Sequence, residues 1–108
     1  MDKIVAALGQ ELKRGSLVLG VLSRLEEEKY GYALIKELGD YGLEVDQSTL
    51  YPLLKRLEKQ GLLESLWNLV ESRPRKYYRI TDQGREVYHR LQLEYLKMHE
   101  SMTRLMEV

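Results

Sequence analysis

Cysteine is absent from this chain, which rules out disulfides and thiolate metal sites and gives no support for export. Net charge is absent too: 17 Lys and Arg offset 17 Asp and Glu, so the overall charge argues for no nucleic-acid partner and would hide a local one. No apolar run nears the ~20 residues of a membrane span. The opening MDKIVAALGQELKRG begins with an acid and has neither a long apolar stretch nor a small-residue cleavage site, so it does not read as a signal peptide. Also lacking are a glycine-rich phosphate loop, a serine or histidine in a nucleophile setting, and a metal-ligand cluster. His89 and His99, separated by ~80° around a helix axis, read as surface histidines rather than a metal pair. These absences predict a soluble, cytoplasmic, non-enzymatic protein without cofactor or metal. At 108 residues it is one domain, able to bury roughly two thirds of its unfolded surface.

The charge that is present is unevenly placed. Residues 47–61, QSTLYPLLKRLEKQG, carry three cations and one anion, and residues 72–79 carry four cations and no anion, which leaves the remainder at net −6. The first segment has helical spacing, with Leu50, Leu53, Leu54 and Leu57 on one face and Lys55, Arg56 and Lys59 beside it. Leu62–Trp67 and Lys76–Ile80 then read as two strands, with Tyr78 and Ile80 on the same face. The loop NLVESRP between them forms a tip. A cationic helix followed by a two-stranded ribbon with cations near its end suits duplex DNA: one element enters the major groove, the other meets phosphates.

The surrounding sequence supplies a frame for that reading head. Ile4, Val5, Leu8 and Leu12 mark an amphipathic helix over residues 2–13, ended by Gly15. Ser16 can cap the next helix, whose stripe is Val18, Val21, Leu22 and Leu25, with Gly20 permitting close approach and Glu26 to Glu28 at its solvated end. Tyr30, Gly31 and Tyr32 read as a turn into a third helix with Leu34, Ile35 and Leu38 inward, stopped by Gly39, Asp40 and Gly42. Ser48 or Asp46 caps the cationic helix, and Pro52 lies in or just after its first turn. Thr81 caps a last helix to about Leu105, in which Tyr88, Leu91, Tyr95, Met98, Met102 and Leu105 are spaced 3, 4, 3, 4 and 3. Such a seam is too long for the small domain before it to cover, so a homodimer is expected, with Ile4, Val5, Leu8 and Leu12 adding a second apolar face. The predicted class is mainly α with a small β-hairpin wing (α+β). It comprises a winged helix-turn-helix at 15–81, an N-terminal dimerisation helix at 1–14 and a C-terminal one at 82–108.

Three stretches, YGYALIKEL at 30–38, STLYPLLKRLEKQGLLES at 48–65 and RPRKYYRITDQGRE at 73–86, together resemble the PadR family of transcriptional regulators over about residues 15–90. The single C-terminal helix is similar to the smaller members. The resemblance implies a dimeric winged-helix repressor of a palindromic operator, released in many members by a small aromatic or drug-like effector near the dimer interface. This chain departs from the multidrug-binding members, which carry a tryptophan in the final helix; its one tryptophan is Trp67, on a wing strand. Its wing loop also lacks the glycines often found there.

Each candidate residue has a plainer reading beside the functional one. Lys55, Arg56 and Lys59 could be a solvated helix face, but the wing that follows favours DNA. Ser48, Thr49 and Tyr51 stand where a docked helix presents residues to base edges and backbone. Ser48 also reads as a cap, while Tyr51, a large phenol beside the cap, has no evident packing purpose. Arg73, Arg75 and Lys76 are either a solubilising tip or phosphate and minor-groove contacts. Tyr77 either faces outward to assist them or covers the ribbon. Tyr32 and Lys36 are expected near the DNA backbone, with structural and functional readings in balance. Tyr88, Tyr95, Met98 and Met102 suit an interface core, with an adaptable effector pocket as the alternative. A winged helix that binds proteins rather than a DNA sequence stands as the second functional class.

Overall fold

A computed structural model describes residues 1–69 and 73–108. Five helices and three short strands follow in the order α1 (Asp2–Arg14), α2 (Leu17–Ser23), β1 (Lys29–Tyr30), α3 (Gly31–Asp40), α4 (Gln47–Lys59), β2 (Leu63–Asn68), β3 (Arg75–Ile80) and α5 (Asp82–Met106). Residues 70–72 of the expected wing tip lie outside the described residues. Leucine dominates the core: Leu17, Val21, Leu22, Leu25, Leu34, Leu38, Leu50, Leu53, Leu54, Leu57, Leu62, Leu63 and Ile80 form one buried cluster. The helix-turn-helix is α3 and α4.

The helix ends follow local chemistry. Asp46, not Ser48, caps α4: its carboxylate accepts from the Thr49 amide at 2.9 Å, while the Ser48 hydroxyl donates to the same carboxylate at 2.7 Å. Ser16 occupies the N-cap position of α2 with helical dihedrals and makes no side-chain capping bond. Both α3 and α4 end in a left-handed glycine, Gly42 at φ +92° and Gly61 at φ +80°. In each case the residue after the glycine reaches back to the helix, Leu43 N–H to the Leu38 carbonyl and Leu62 N–H to the Leu57 carbonyl. Gly42 thus ends α3 and Gly61 ends α4, and the Asp46 cap sets where α4 begins.

The expected two-stranded ribbon is a three-stranded antiparallel sheet in the order β1-β3-β2. Tyr30, expected in a turn, pairs with Tyr77, and Lys29 with Tyr78. A two-residue strand carries no alternation for a sequence pattern to register. Between β2 and β3 the register runs from Leu63↔Ile80 to Asn68↔Arg75. It places Leu63, Ser65 and Trp67 on the face shared with Ile80, Tyr78 and Lys76.

One knot joins sheet and helices. Thr81 caps α5, its hydroxyl accepting from Gly84 N–H at 3.0 Å and donating to the Gly61 carbonyl at 2.7 Å. Its amide bonds the Leu62 carbonyl at 3.1 Å, and Ile80 N–H bonds the Leu25 carbonyl at 2.8 Å. Gly84 is buried so closely that a Cβ there would overlap the Leu62 carbonyl, a backbone atom that cannot swing aside. Gly84→Ala is therefore expected to lose about 1–3 kcal/mol by overpacking, and Thr81→Ala about 1 kcal/mol by loss of the cap. Thermal unfolding of the two variants against the parent checks both.

Candidate nucleic-acid interface

The four leucines of α4 are buried, so its opposite face is turned out. Ser48, Thr49, Lys55, Arg56 and Lys59 are all exposed on that helix. With Asp46 capping the helix, Ser48 and Thr49 are both engaged at its start, Ser48 through its hydroxyl and Thr49 through its amide. The Ser48 hydroxyl, followed by the Thr49 bonds, holds the Asp46 carboxyl below its ordinary value. Pro52 sits just past the first turn, where it has no N–H for the Ser48 carbonyl. Tyr32 and Lys36 are exposed on α3, and Tyr32 lies near Gln47 and Tyr51 at the start of α4.

Tyr51 has a packing role that its sequence position did not reveal. Its ring lies on Gly31, where any Cβ would overlap it, while 43 % of the residue stays exposed. The contact ties the start of α4 to the start of α3. A side chain at position 31 would have to displace the Tyr51 ring, so glycine there leaves room for a neighbour across the helix-turn-helix rather than serving its own backbone conformation.

The wing cations differ from one another. Lys76 has a partner within the chain: half-buried, it holds its ammonium 3.4 Å from Glu58 of α4 and 5.3 Å from the Tyr78 ring centroid. Burial alone would lower its pKa, and the pull of Tyr78 and Glu58 outweighs that, leaving it raised. Glu58 also accepts a short hydrogen bond from the Ser65 hydroxyl of β2. The Ser65 bond, then the Lys76 charge, keep its carboxyl below the ordinary 4.5. On the other face of the sheet the Arg75 guanidinium stacks over Tyr30, 4.7 Å from its ring centroid. Tyr77 packs edge-on against Tyr30 at 5.7 Å, so it covers the ribbon rather than standing free. Arg73 is exposed, and Arg79 pairs with Glu64 at 2.8 Å.

Between the starts of α3 and α4 and the wing lies a concavity of about 560 Å³. Tyr30, Tyr32, Tyr51, Trp67 and Tyr78 contribute aromatic walls, and Arg73, Arg75 and Lys76 add positive charge. Trp67 and Tyr78 join it because each second residue of β2 and β3 shares a face, a signal the strand pattern carried. Tyr30 joins through β1, which the pattern did not carry. The expected effector residues lie elsewhere. Tyr88 and Leu91 are half-buried against the core of their own chain, whereas Tyr95, Met98 and Met102 are exposed along the far half of α5.

Comparison with known proteins places this geometry. The sequence model of the transcriptional regulator PadR-like family matches residues 18–90. The chain is 40% identical over 77 residues to the transcriptional regulator Rv3488 of Mycobacterium tuberculosis, covering 70% of this chain and 72% of that protein. The crystal structure of a PadR family transcriptional regulator from Eggerthella lenta is 47% identical, with a TM-score of 0.94 over 99% of this chain and 96% of that one. A PadR-like transcriptional regulator from Bacillus cereus is 30% identical at a TM-score of 0.80, over 91% of this chain and 98% of its own.

The Glu58 bonds make a pH prediction. A carboxyl depressed in the folded state contributes stability above its unfolded pKa and loses that contribution as pH falls through the lower, folded value. From about pH 6 down to about pH 3, the protein should thus lose more stability than its Glu58→Gln variant. Urea unfolding across that range reads the difference; parallel curves for the two proteins would remove Glu58 as a fastener of the wing.

Proposed function

Because this chain belongs to the PadR-like family of transcriptional regulators, we propose that it acts as a homodimeric repressor that reads a pseudo-palindromic DNA operator through α4 and the wing. The observation that carries the reading is the pairing of a leucine-anchored helix, exposing Thr49, Lys55, Arg56 and Lys59, with a sheet that brings Arg73 and Arg75 alongside. Thr49 and its neighbours at the helix start read bases, and the cations of α4 and the wing hold phosphates. Lys76, engaged by Glu58, braces the wing.

Three features support a second copy. Helix α1 buries no residue in its own chain, and Ile4, Val5, Leu8 and Leu12 are each at least 59% exposed. The radius of gyration is 15.8 Å, against about 13 Å for a compact chain of this length. Tyr95, Met98, Met102 and Leu105 form another exposed apolar stripe, along α5. Joined across a two-fold axis, these faces bury one another and set two reading helices about one DNA turn apart. The repressor role and release by a small effector belong to the same proposal, through the family.

Fluorescence anisotropy on the duplex upstream of the protein's own gene and on a scrambled duplex tests the reading. A preference of ~1000-fold or more is expected; equal, salt-labile binding to both would favour the protein-binding winged helix instead. Arg75→Ala should weaken binding to every duplex and reduce the log-log salt slope by ~0.9. Thr49→Ala should relax preference at one operator position with the slope unchanged. Leu8→Glu with Met98→Glu should give a monomer in sedimentation equilibrium; a persistent dimer would move the interface elsewhere.

A further inference from the structure

We propose that the methionine face of α5 is an oxidation site, and that converting its thioethers to sulfoxides by a peroxide separates the two copies while leaving each protomer folded. The consequence for assembly rests on the homodimer reading given above; the chemistry at sulfur does not. The chain has no cysteine, so methionine holds all of its sulfur. Met98, Met102 and Met106, the methionines other than Met1, recur every four residues on α5, which puts them on successive turns of one side of the helix. They stand 55%, 41% and 58% exposed. The buried core, by contrast, is built of leucines with Val21 and Ile80 and holds no methionine. Sulfur is thus kept out of the packing that folds the protomer and gathered on the surface that a second copy would cover.

That segregation decides what oxidation can do. With hydrogen peroxide, the sulfur lone pair takes one peroxide oxygen: an S–O bond forms, the O–O bond breaks, sulfur loses two electrons, and water leaves with both protons. The product replaces a flexible apolar side chain with a polar one. On a free protomer the sulfoxide stays in water and costs the fold little. Between two copies it either gives up its hydration without a partner or holds the faces apart, and both outcomes weaken the dimer. Each change is doubled, because a two-fold axis sets the same face of both chains in the interface. The oxidant reaches this face in free protomers, which exchange with the dimer.

Hydrogen peroxide on the full chain tests the proposal, with added oxygen located by peptide mass spectrometry and assembly followed by sedimentation equilibrium. The untreated protein should be a dimer, and sulfoxides at Met98, Met102 and Met106 should raise its dissociation constant by at least ~10-fold with the far-UV helical signal retained. Methionine sulfoxide reductases should restore the dimer. The variant carrying Met98→Leu, Met102→Leu and Met106→Leu keeps the apolar volume and should stay dimeric in peroxide, although it still has Met1. A dimer that persists once all three sulfoxides have formed overturns the switch and leaves the homodimer reading standing, whereas a monomer before any treatment overturns both. Equal dissociation of the leucine variant in peroxide overturns this face as the site, and loss of the helical signal on oxidation overturns the claim that the protomer stays folded.

Discussion

Leu50, Leu53, Leu54 and Leu57 leave α4 one rotational setting, and the rest of the molecule is arranged around that setting. All four are buried in the common core. Burying each is worth about 1.5–3 kcal/mol, so together they match the whole net stability of a small domain, about 5–15 kcal/mol. Turning the helix by a single residue, about 100°, would expose several leucines and unfold the protein before it produced a different reading face. The outward position of Thr49, Lys55, Arg56 and Lys59 is therefore a consequence of the core rather than of any interaction the charged residues make themselves.

The wing inherits its position from the same helix. Gly61 stops α4 and sends the chain into β2, and the Glu58 carboxylate near the helix end takes bonds from Ser65 on β2 and Lys76 on β3. Thr81 closes the loop by bonding the Gly61 carbonyl as it starts α5. Helix and wing thus share one fastening of leucine packing below and a carboxylate clasp above. The two elements proposed to meet one DNA duplex are held as a unit. The family to which the chain belongs, whose relatives share this fold across 30–47% identity, is consistent with that economy of parts.

Long elements with a strong period were legible in the sequence, and so were most helix ends. The four leucines of α4, the Gly42 and Gly61 stops and the Thr81 cap all act locally, and local spacing announces them, whereas Gly39 and Asp40, also expected to stop α3, lie within it. What escaped notice depends on contacts between distant segments. Strand β1 is two residues long and exists because β3 offers it an edge. Tyr51 packs on Gly31, twenty residues earlier, a contact that local spacing does not announce. Lys76 looked like one of three equivalent cations, but the alternation of β3 turns it inward to Glu58 while Arg75 faces the other side. Ser48 and Asp46 were equal contenders for the cap, and only the bond from the Thr49 amide to Asp46 separates them.

The α1 face and the far half of α5 are surfaces that a single copy leaves uncovered, and in the proposed homodimer a two-fold partner covers them and sets the spacing that an operator would match. Selection from a pool of random duplexes by the purified protein tests this account most directly, since it assumes no operator in advance. The account predicts an enriched inverted repeat whose half-site centres lie about 10–10.5 base pairs apart. Enrichment of no motif, or of one without two-fold symmetry, would contradict it.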